Sequence, residues 1–383
     1  MRIAFYAPLK PPTHPVPSGD RRMARLLMMA LRRAGHRVEL ASRLWSLDAS
    51  GDSARQAAIE GRGRRTAARL ARAYGARPRA DRPAAWFTYH LHYKAPDWIG
   101  PLVADALSIP YVVAEASHAP KRAGGPWDAG HAAAAAAIRR AAAIFTLNPA
   151  DAGCLAALLG GTERLIPISP FLDAAAFKAA ARYRPAARAR LARRFGLDPH
   201  ALWLLTVAMM RAGDKVASYR VLGEALSSLV NGSWQLLVAG DGPARSEVHA
   251  ALAGIGERAV YAGLAPPGSL PEIYAAADLY LWPAINEAYG MTLLEAQAAG
   301  LPVVAGTSAG VSGIVGHDST GVLTPPGDAR AFAEATQALI EDGARRRAMG
   351  AAALQKVAAV HDIAAAAETL DEGLRHCTAA SEA

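Results

Sequence analysis

At 383 residues the chain exceeds what one hydrophobic core usually sustains, so two domains of ordinary size are expected. Hydrophobic residues make up 52% and charged residues 20%, which excludes a disordered chain, and no apolar run approaches the ~20 residues that span a bilayer. The net charge of +9 is uneven: residues 1–180 carry 25 Lys and Arg against 13 Asp and Glu, residues 181–383 carry 17 against 20, so the halves are expected to meet different partners.

Met1–Pro8 has too short an apolar run for a signal peptide and reads as a first buried strand over 2–7. Pro17-Ser18-Gly19-Asp20 closes a proline-rich loop, with Ser18 as helix N-cap and Asp20 in the first turn. Met23, Leu26, Leu27, Ala30 and Leu31 recur at helical spacing, Gly35 stops the helix, and Val38–Ala41 is the next strand. Gly19 allows close backbone approach to a ligand, or is a plain structural turn. Arg55, Arg62, Arg65, Arg69 and Arg72 share one helical face, opposite Ile59, Ala67, Leu70 and Tyr74. Two readings stand for this helix: a contact with an anionic membrane, or a surface helix with solvated arginines.

His90 and His92 share a strand face in the stretch Trp86–Lys94, as a polar strand end lining a ligand crevice or as a metal pair. Pro110–Ala114 is an apolar run that turns polar towards His118, and ligands of open α/β sheets bind beyond that end of a strand. An alanine-rich helix over 130–143 and a strand over 144–147 follow. Residues 178–198 read as a basic helical connector, and Leu202–Ala208 restarts the pattern with a buried strand. Arg211 and Lys215 flank Gly213 at the next strand-to-helix junction, a pattern suited to a diphosphate. Strands are expected over 236–239, 258–262 and 279–282, with a helix over 270–277.

Asn286–Gly300 reads as loop and short helix between the strand at 279–282 and the run Val303-Val304. Glu287 lies in the loop and Glu295 in the helix, flanking a helix N-terminus whose free N–H groups and positive dipole end suit a phosphate. This is either a sugar-nucleotide site or two solvated glutamates. The alternation of strand and helix predicts an α/β protein of two doubly wound parallel sheets facing across a cleft. Cys154 and Cys377 lie far apart with no metal-ligand spacing, which fits a reduced, cytoplasmic setting.

Taken together, these blocks resemble the retaining glycosyltransferases of family 4. Glu287-Ala-Tyr-Gly-Met-Thr-Leu-Leu-Glu295 is similar to that family's paired glutamates, and Ala296–Val304 to the segment that usually comes after the pair. Gly240-Asp241-Gly242-Pro243 and Gly321–Asp328 match two further blocks; Pro17–Asp20 and His118 match more loosely. The resemblance implies a GT-B fold: a Rossmann-like acceptor domain over 1–175, a Rossmann-like donor domain over 176–360, and a helix over 361–383 packing back toward the first.

The resemblance further implies a retaining transfer of a sugar from a nucleoside-diphosphate sugar to an acceptor hydroxyl, with no cofactor and no metal. Glu287 and the backbone of Ala288, Tyr289, Gly290 and Met291 would hold the donor sugar, Glu295 the ribose. Arg211 and Lys215 would neutralise the diphosphate, with Thr292 and Leu293 beside it and Leu264 by the base. Gly19 would let the first loop approach the diphosphate, and His118 would lie near the donor sugar and attacking hydroxyl. Arg211 and Lys215 are one residue closer than the family spacing, and the first loop has one glycine where the family often has two. The expected partners are the nucleotide sugar (UDP or GDP) and a saccharide or lipid-linked acceptor of envelope polysaccharide or glycolipid synthesis, with peripheral membrane contact through Arg55–Arg82. A sugar-nucleotide epimerase of the same fold is the alternative enzyme, and a basic nucleic-acid-binding protein the non-enzymatic one.

Overall fold

The computed structural model describes residues 1–383 apart from Pro17, Asn231, Pro267, Ala288 and Ala383, and apart from the side chains of Ala309, Ala380, Ser381 and Glu382. The chain divides into two compact units, Met1–Ser169 with Ile363–Ala383, and Pro170–Asp362. The division thus falls at Ser169/Pro170, a few residues before the expected 175/176.

The first unit holds β1 (Arg2–Tyr6), α1 (Gly19–Arg33), β2 (Arg37–Leu40), α2 (Ser53–Gly75), β3 (Ala85–Leu91), α3 (Gly100–Leu107), β4 (Tyr111–Ala116), α4 (Asp128–Arg140), β5 (Ala143–Thr146), α5 (Ala152–Leu159) and β6 (Leu165–Pro167). Its strands pair in parallel in the order β2-β1-β3-β4-β5-β6. Phe5, Phe87 and Phe145 lie fully buried and stacked across β1, β3 and β5. Burying each phenyl contributes about 1.5–3 kcal/mol. α1 begins as its sequence dictates: the Ser18 hydroxyl accepts the Arg21 N–H at 3.2 Å, and Met23, Leu26, Leu27, Ala30 and Leu31 face the core.

On α2 the apolar face is consumed inside the unit. Ile59, Ala67 and Tyr74 are buried, and Gly63 meets Trp98 so closely that a Cβ would lie 2.4 Å from it. Arg55, Arg62, Arg65, Arg69 and Arg72 remain exposed. No helix among the described residues is long and apolar enough to cross a membrane.

The second unit holds α6 (Ala175–Arg182), α7 (Arg184–Phe195), β7 (Leu202–Val207), α8 (Asp214–Ser227), β8 (Trp234–Ala239), α9 (Arg245–Ala251), β9 (Ala259–Gly263), α10 (Leu270–Ala276), β10 (Leu279–Trp282), α11 (Met291–Ala298), β11 (Val303–Gly306), α12 (Ala309–Ser312), β12 (Gly321–Thr324), α13 (Ala329–Glu341) and α14 (Gly343–Lys356). The basic helical connector expected over 178–198 forms as two helices. They break at Tyr183, and Pro185 sits in the first turn of α7, where a missing N–H costs nothing. The sheet order is β12-β11-β10-β7-β8-β9, all parallel, the doubly wound order of a dinucleotide fold. Trp203 and Trp282, fully buried, fill its core. The last helix, α15 (Ile363–Glu382), belongs to the first unit. There Gly373 lies so close to Phe145 that a Cβ would sit 2.6 Å from the ring.

Candidate active site

In the second unit the strand order reverses direction between β7 and β10, so the loops leaving these two adjacent strands diverge and open a crevice at their carboxyl ends. The loop after β7 is shaped by glycines. Gly240 and Gly242 adopt φ of +150° and +155°, and Cβ atoms there would lie 1.9 Å from the Ala208 carbonyl oxygen and 2.2 Å from that of Met210. The Gly240–Pro243 loop therefore lies flat against Ala208–Met210. The Met210 N–H donates to the Asp241 carbonyl and the Ala244 N–H to that of Met210, both at 3.0 Å. This clamp leaves Arg211 exposed at the loop tip. Gly213, at φ +80°, then turns the chain into α8, whose first turn carries Lys215.

Glu287 stands on the loop after β10. Its Oε2 receives the Lys215 ammonium at 2.6 Å and the Trp282 indole N–H at 3.1 Å. The same ammonium lies 5.2 Å from the centre of the Trp282 ring. The loop backbone is fixed from several sides. Ser308 donates to the Glu287 carbonyl, Asn286 to Asp214, and the Ile285 N–H to Ser218. Ala284 and Asn286 both have positive φ, strain that this surrounding network holds in place. Gly290, at φ +63°, caps α11 and aims the N-terminal amides of that helix out of the carboxyl end of the sheet.

The structure therefore brings Lys215, Glu287, Arg211 and the start of α11 to one switch point. Met291 and Thr292 are half-buried there, while Leu293 turns into the core. The Tyr289 hydroxyl is buried without a hydrogen-bond partner. Ala288 lies outside the described residues. Leu264, 76% exposed, follows the left-handed Gly263 after β9. Glu295 is 1% exposed, and its carboxylate accepts the Tyr274 hydroxyl at 2.7 Å.

Gly19 and His118 belong to the first unit. Gly19 begins α1 with open space around it. His118 follows β4, and its ring stacks on His131 with centroids 4.8 Å apart. Burial, His131 and Arg139 hold its pKa below the ordinary imidazole value.

The first unit also carries a cluster that the sequence pattern alone does not assemble. Its sheet has its own switch point between β1 and β3. His90 on β3 and Glu115 on β4 fall between the registered pairs Tyr89–Ala114 and Leu91–Ala116, and both adopt left-handed φ, +61° and +62°. His90 Nδ1 lies 3.0 Å from Asp20 Oδ1 and 3.8 Å from Glu115 Oε1. Burial disfavours the imidazolium, but Glu115 and Asp20 raise the His90 pKa above its ordinary value. Burial pushes the Glu115 carboxyl up to about 7. Against its own burial, Asp20 is held below its usual range by His90. His92 is pushed down to about 3 by burial and then by the His90 charge. Among the described residues no group of three or more His, Cys, Asp or Glu side chains is arranged to hold a metal ion. The legible signal was the appearance of His90 and Glu115 inside apolar strand runs.

Two doubly wound, all-parallel Rossmann-like units, each with its own switch point, define the GT-B class of fold. Residues 205–356 match the family described as glycosyl transferases group 1. The 2-deoxystreptamine glucosyltransferase of Streptomyces kanamyceticus is 32% identical over 211 residues, covering 54% of each chain, so the match spans about half of that relative's length. D-inositol 3-phosphate glycosyltransferase 1 of Catenulispora acidiphila is 32% identical over 297 residues, 72% of this chain and 69% of its own. Among solved structures, Anabaena HepE in complex with UDP superposes with a TM-score of 0.73 at 17% identity, covering 98% of this chain and 100% of its own. The chain belongs to the glycosyl transferases group 1 family.

Proposed function

We propose that this protein is a retaining glycosyltransferase that moves a sugar from a nucleoside diphosphate to an acceptor hydroxyl and needs no resident metal. The observation that carries the reading is the meeting of Lys215 and Trp282 on Glu287 beside the start of α11. A diphosphate at the helix end would take its charge compensation from the α11 amides, Lys215 and Arg211, the groups a metal would otherwise replace. When Lys215 turns to the diphosphate, Glu287 keeps the Trp282 N–H and is free to accept donor-sugar hydroxyls. The acceptor oxygen attacks the anomeric carbon on the face that the diphosphate leaves. The C–O bond to phosphate breaks, the new C–O bond forms, and the acceptor proton passes to the departing phosphate oxygen. Glu295 is proposed for the ribose hydroxyls, which it reaches by turning out of its bond with Tyr274.

The acceptor is proposed to be a small polyol bound by the first unit, ahead of an envelope polysaccharide or lipid-linked sugar. Both sequence relatives are named for cyclitols, one bearing amines and one a phosphate. Reversible contact with anionic membrane through the exposed arginines of α2 is also part of the proposal. Because the apolar face of that helix is occupied, such binding should be purely electrostatic, present on anionic vesicles at low salt and released by salt.

Nucleotide-sugar turnover tests the main reading. UDP- and GDP-sugars are screened for transfer or slow hydrolysis, and Glu287→Ala is expected to lose at least about a hundredfold in turnover while the fold survives. Near wild-type turnover of the variant would overturn the assignment, as would isomerisation of the donor sugar without transfer.

A further inference from the structure

The Asp20–His90–Glu115 cluster lies in the first unit, outside the donor machinery. It sits at the carboxyl ends of β1, β3 and β4, at the switch point where open α/β sheets take ligands. Asp151, just before α5, joins it electrostatically: the charge of His90 acts on Asp151, and Asp151 acts on Glu115. Two carboxylates thus flank one histidine, and a third acts on it from further along the chain. His90 is the positive side chain that acts on Glu115 and Asp151, and Lys10 acts on Asp20. The cluster is acidic within a half of the chain whose overall charge is strongly basic.

A second observation is independent of the charge count. Glu115 is 8% exposed; the Tyr89 hydroxyl acts on its carboxylate, yet its Oε2 has no partner at hydrogen-bond distance. A buried carboxylate oxygen without a donor costs about 1–3 kcal/mol or more, and native proteins seldom leave one so. Asp20, its side chain 34% exposed, is the open side of the cluster, and Glu115 is its floor. An unfilled acceptor atom and an excess of negative charge together specify the ligand group. A phosphate would be repelled and a neutral hydroxyl would leave the charge unbalanced. An ammonium brings one positive charge and three donors in a compact group.

We infer that Asp20 and Glu115 form the acceptor-specificity site of the first unit and select an acceptor that carries a protonated amine. The inference rests on the glycosyltransferase reading above and narrows its acceptor to the amine-bearing class.

The test is calorimetry at pH 7.5 with three probes, 2-deoxystreptamine, myo-inositol and D-inositol 3-phosphate, each titrated into the full chain. UDP and GDP are titrated into the same preparations to report on the donor site. The diamine should bind at least about tenfold more tightly than inositol, and the phosphate should bind more weakly still. Glu115→Gln and Asp20→Asn should each lower diamine affinity about tenfold or more, with thermal melts confirming that both variants fold. Two results overturn the inference while nucleotide binding persists: equal or absent binding of the diamine relative to inositol, or undiminished diamine binding in both variants. Absence of nucleotide binding would instead overturn the glycosyltransferase reading, so the two failures are distinguishable.

Discussion

Replacing Lys215 with methionine keeps the length of the side chain and removes its charge. In the free protein the ammonium lies 2.6 Å from Glu287, with 27% of the lysine and 17% of the glutamate side chain exposed. Ion pairs open to solvent contribute about 0.2–1 kcal/mol, and this half-buried one should stay near the upper end. Glu287 keeps the Trp282 N–H, so the variant leaves no carboxylate stranded. The melting temperature should therefore fall by only about 2–4 °C for about 1 kcal/mol. Nucleotide binding should respond far more. A charge-assisted hydrogen bond to phosphate contributes about 1.5–3 kcal/mol, or roughly ten- to a hundredfold in Kd. Calorimetric titration of UDP and GDP into wild type and Lys215→Met measures this, and the loss should shrink as salt is raised. A variant that melts far lower yet binds nucleotide as wild type does would refute the reasoning, making Lys215 a structural partner of Glu287 and nothing more.

Gly240→Ala should be among the most damaging substitutions in the second unit, because its Cβ would sit 1.9 Å from a carbonyl oxygen at φ +150°. A loss of about 3 kcal/mol or more is expected by thermal melting, whereas Gly19→Ala, with open space around it, should melt as wild type. The pH dependence of stability should bend in two places. Glu115 rises from 4.5 to about 7 on folding, so its contribution is present below pH 4.5 and is lost as pH climbs through 7. Glu115→Gln should therefore melt higher than wild type at pH 8, by on the order of 1–3 kcal/mol, and the difference should vanish near pH 4.5. His92 falls from 6.5 to about 3, so its contribution is present above pH 6.5 and lost as pH falls toward 3. His92→Gln should flatten the acid limb of a melting-temperature profile between those values.

Much of the donor side was legible because its signals are local. Apolar runs such as Leu202–Val207 and Leu279–Trp282 are long enough to mark buried strands, and glycines mark the loops beyond them. Arg211, Lys215 and Glu287 stand directly beyond strand ends, so adjacency of β7 and β10 was enough to unite them. Glu295 shows where local signals stop. Its helix was visible in the spacing, but its burial depends on Tyr274, which comes from a separate helix. The acidic cluster was hidden for the same reason. Asp20, His90 and Glu115 come from three segments, and only the order β1-β3-β4 with a left-handed residue near the end of β3 and of β4 brings them together. The helical character of 178–198 was legible, but not the break at Tyr183, because the basic, alanine-rich composition continues across it.

The central claim is that the second unit's switch point binds a nucleoside diphosphate. A crystal structure grown with UDP or GDP tests it most directly. The account predicts the diphosphate within about 3 Å of the first α11 amides and of Lys215, with that lysine drawn off Glu287. A nucleotide bound elsewhere, or Lys215 still paired with Glu287 beside an empty helix end at saturating nucleotide, would contradict it.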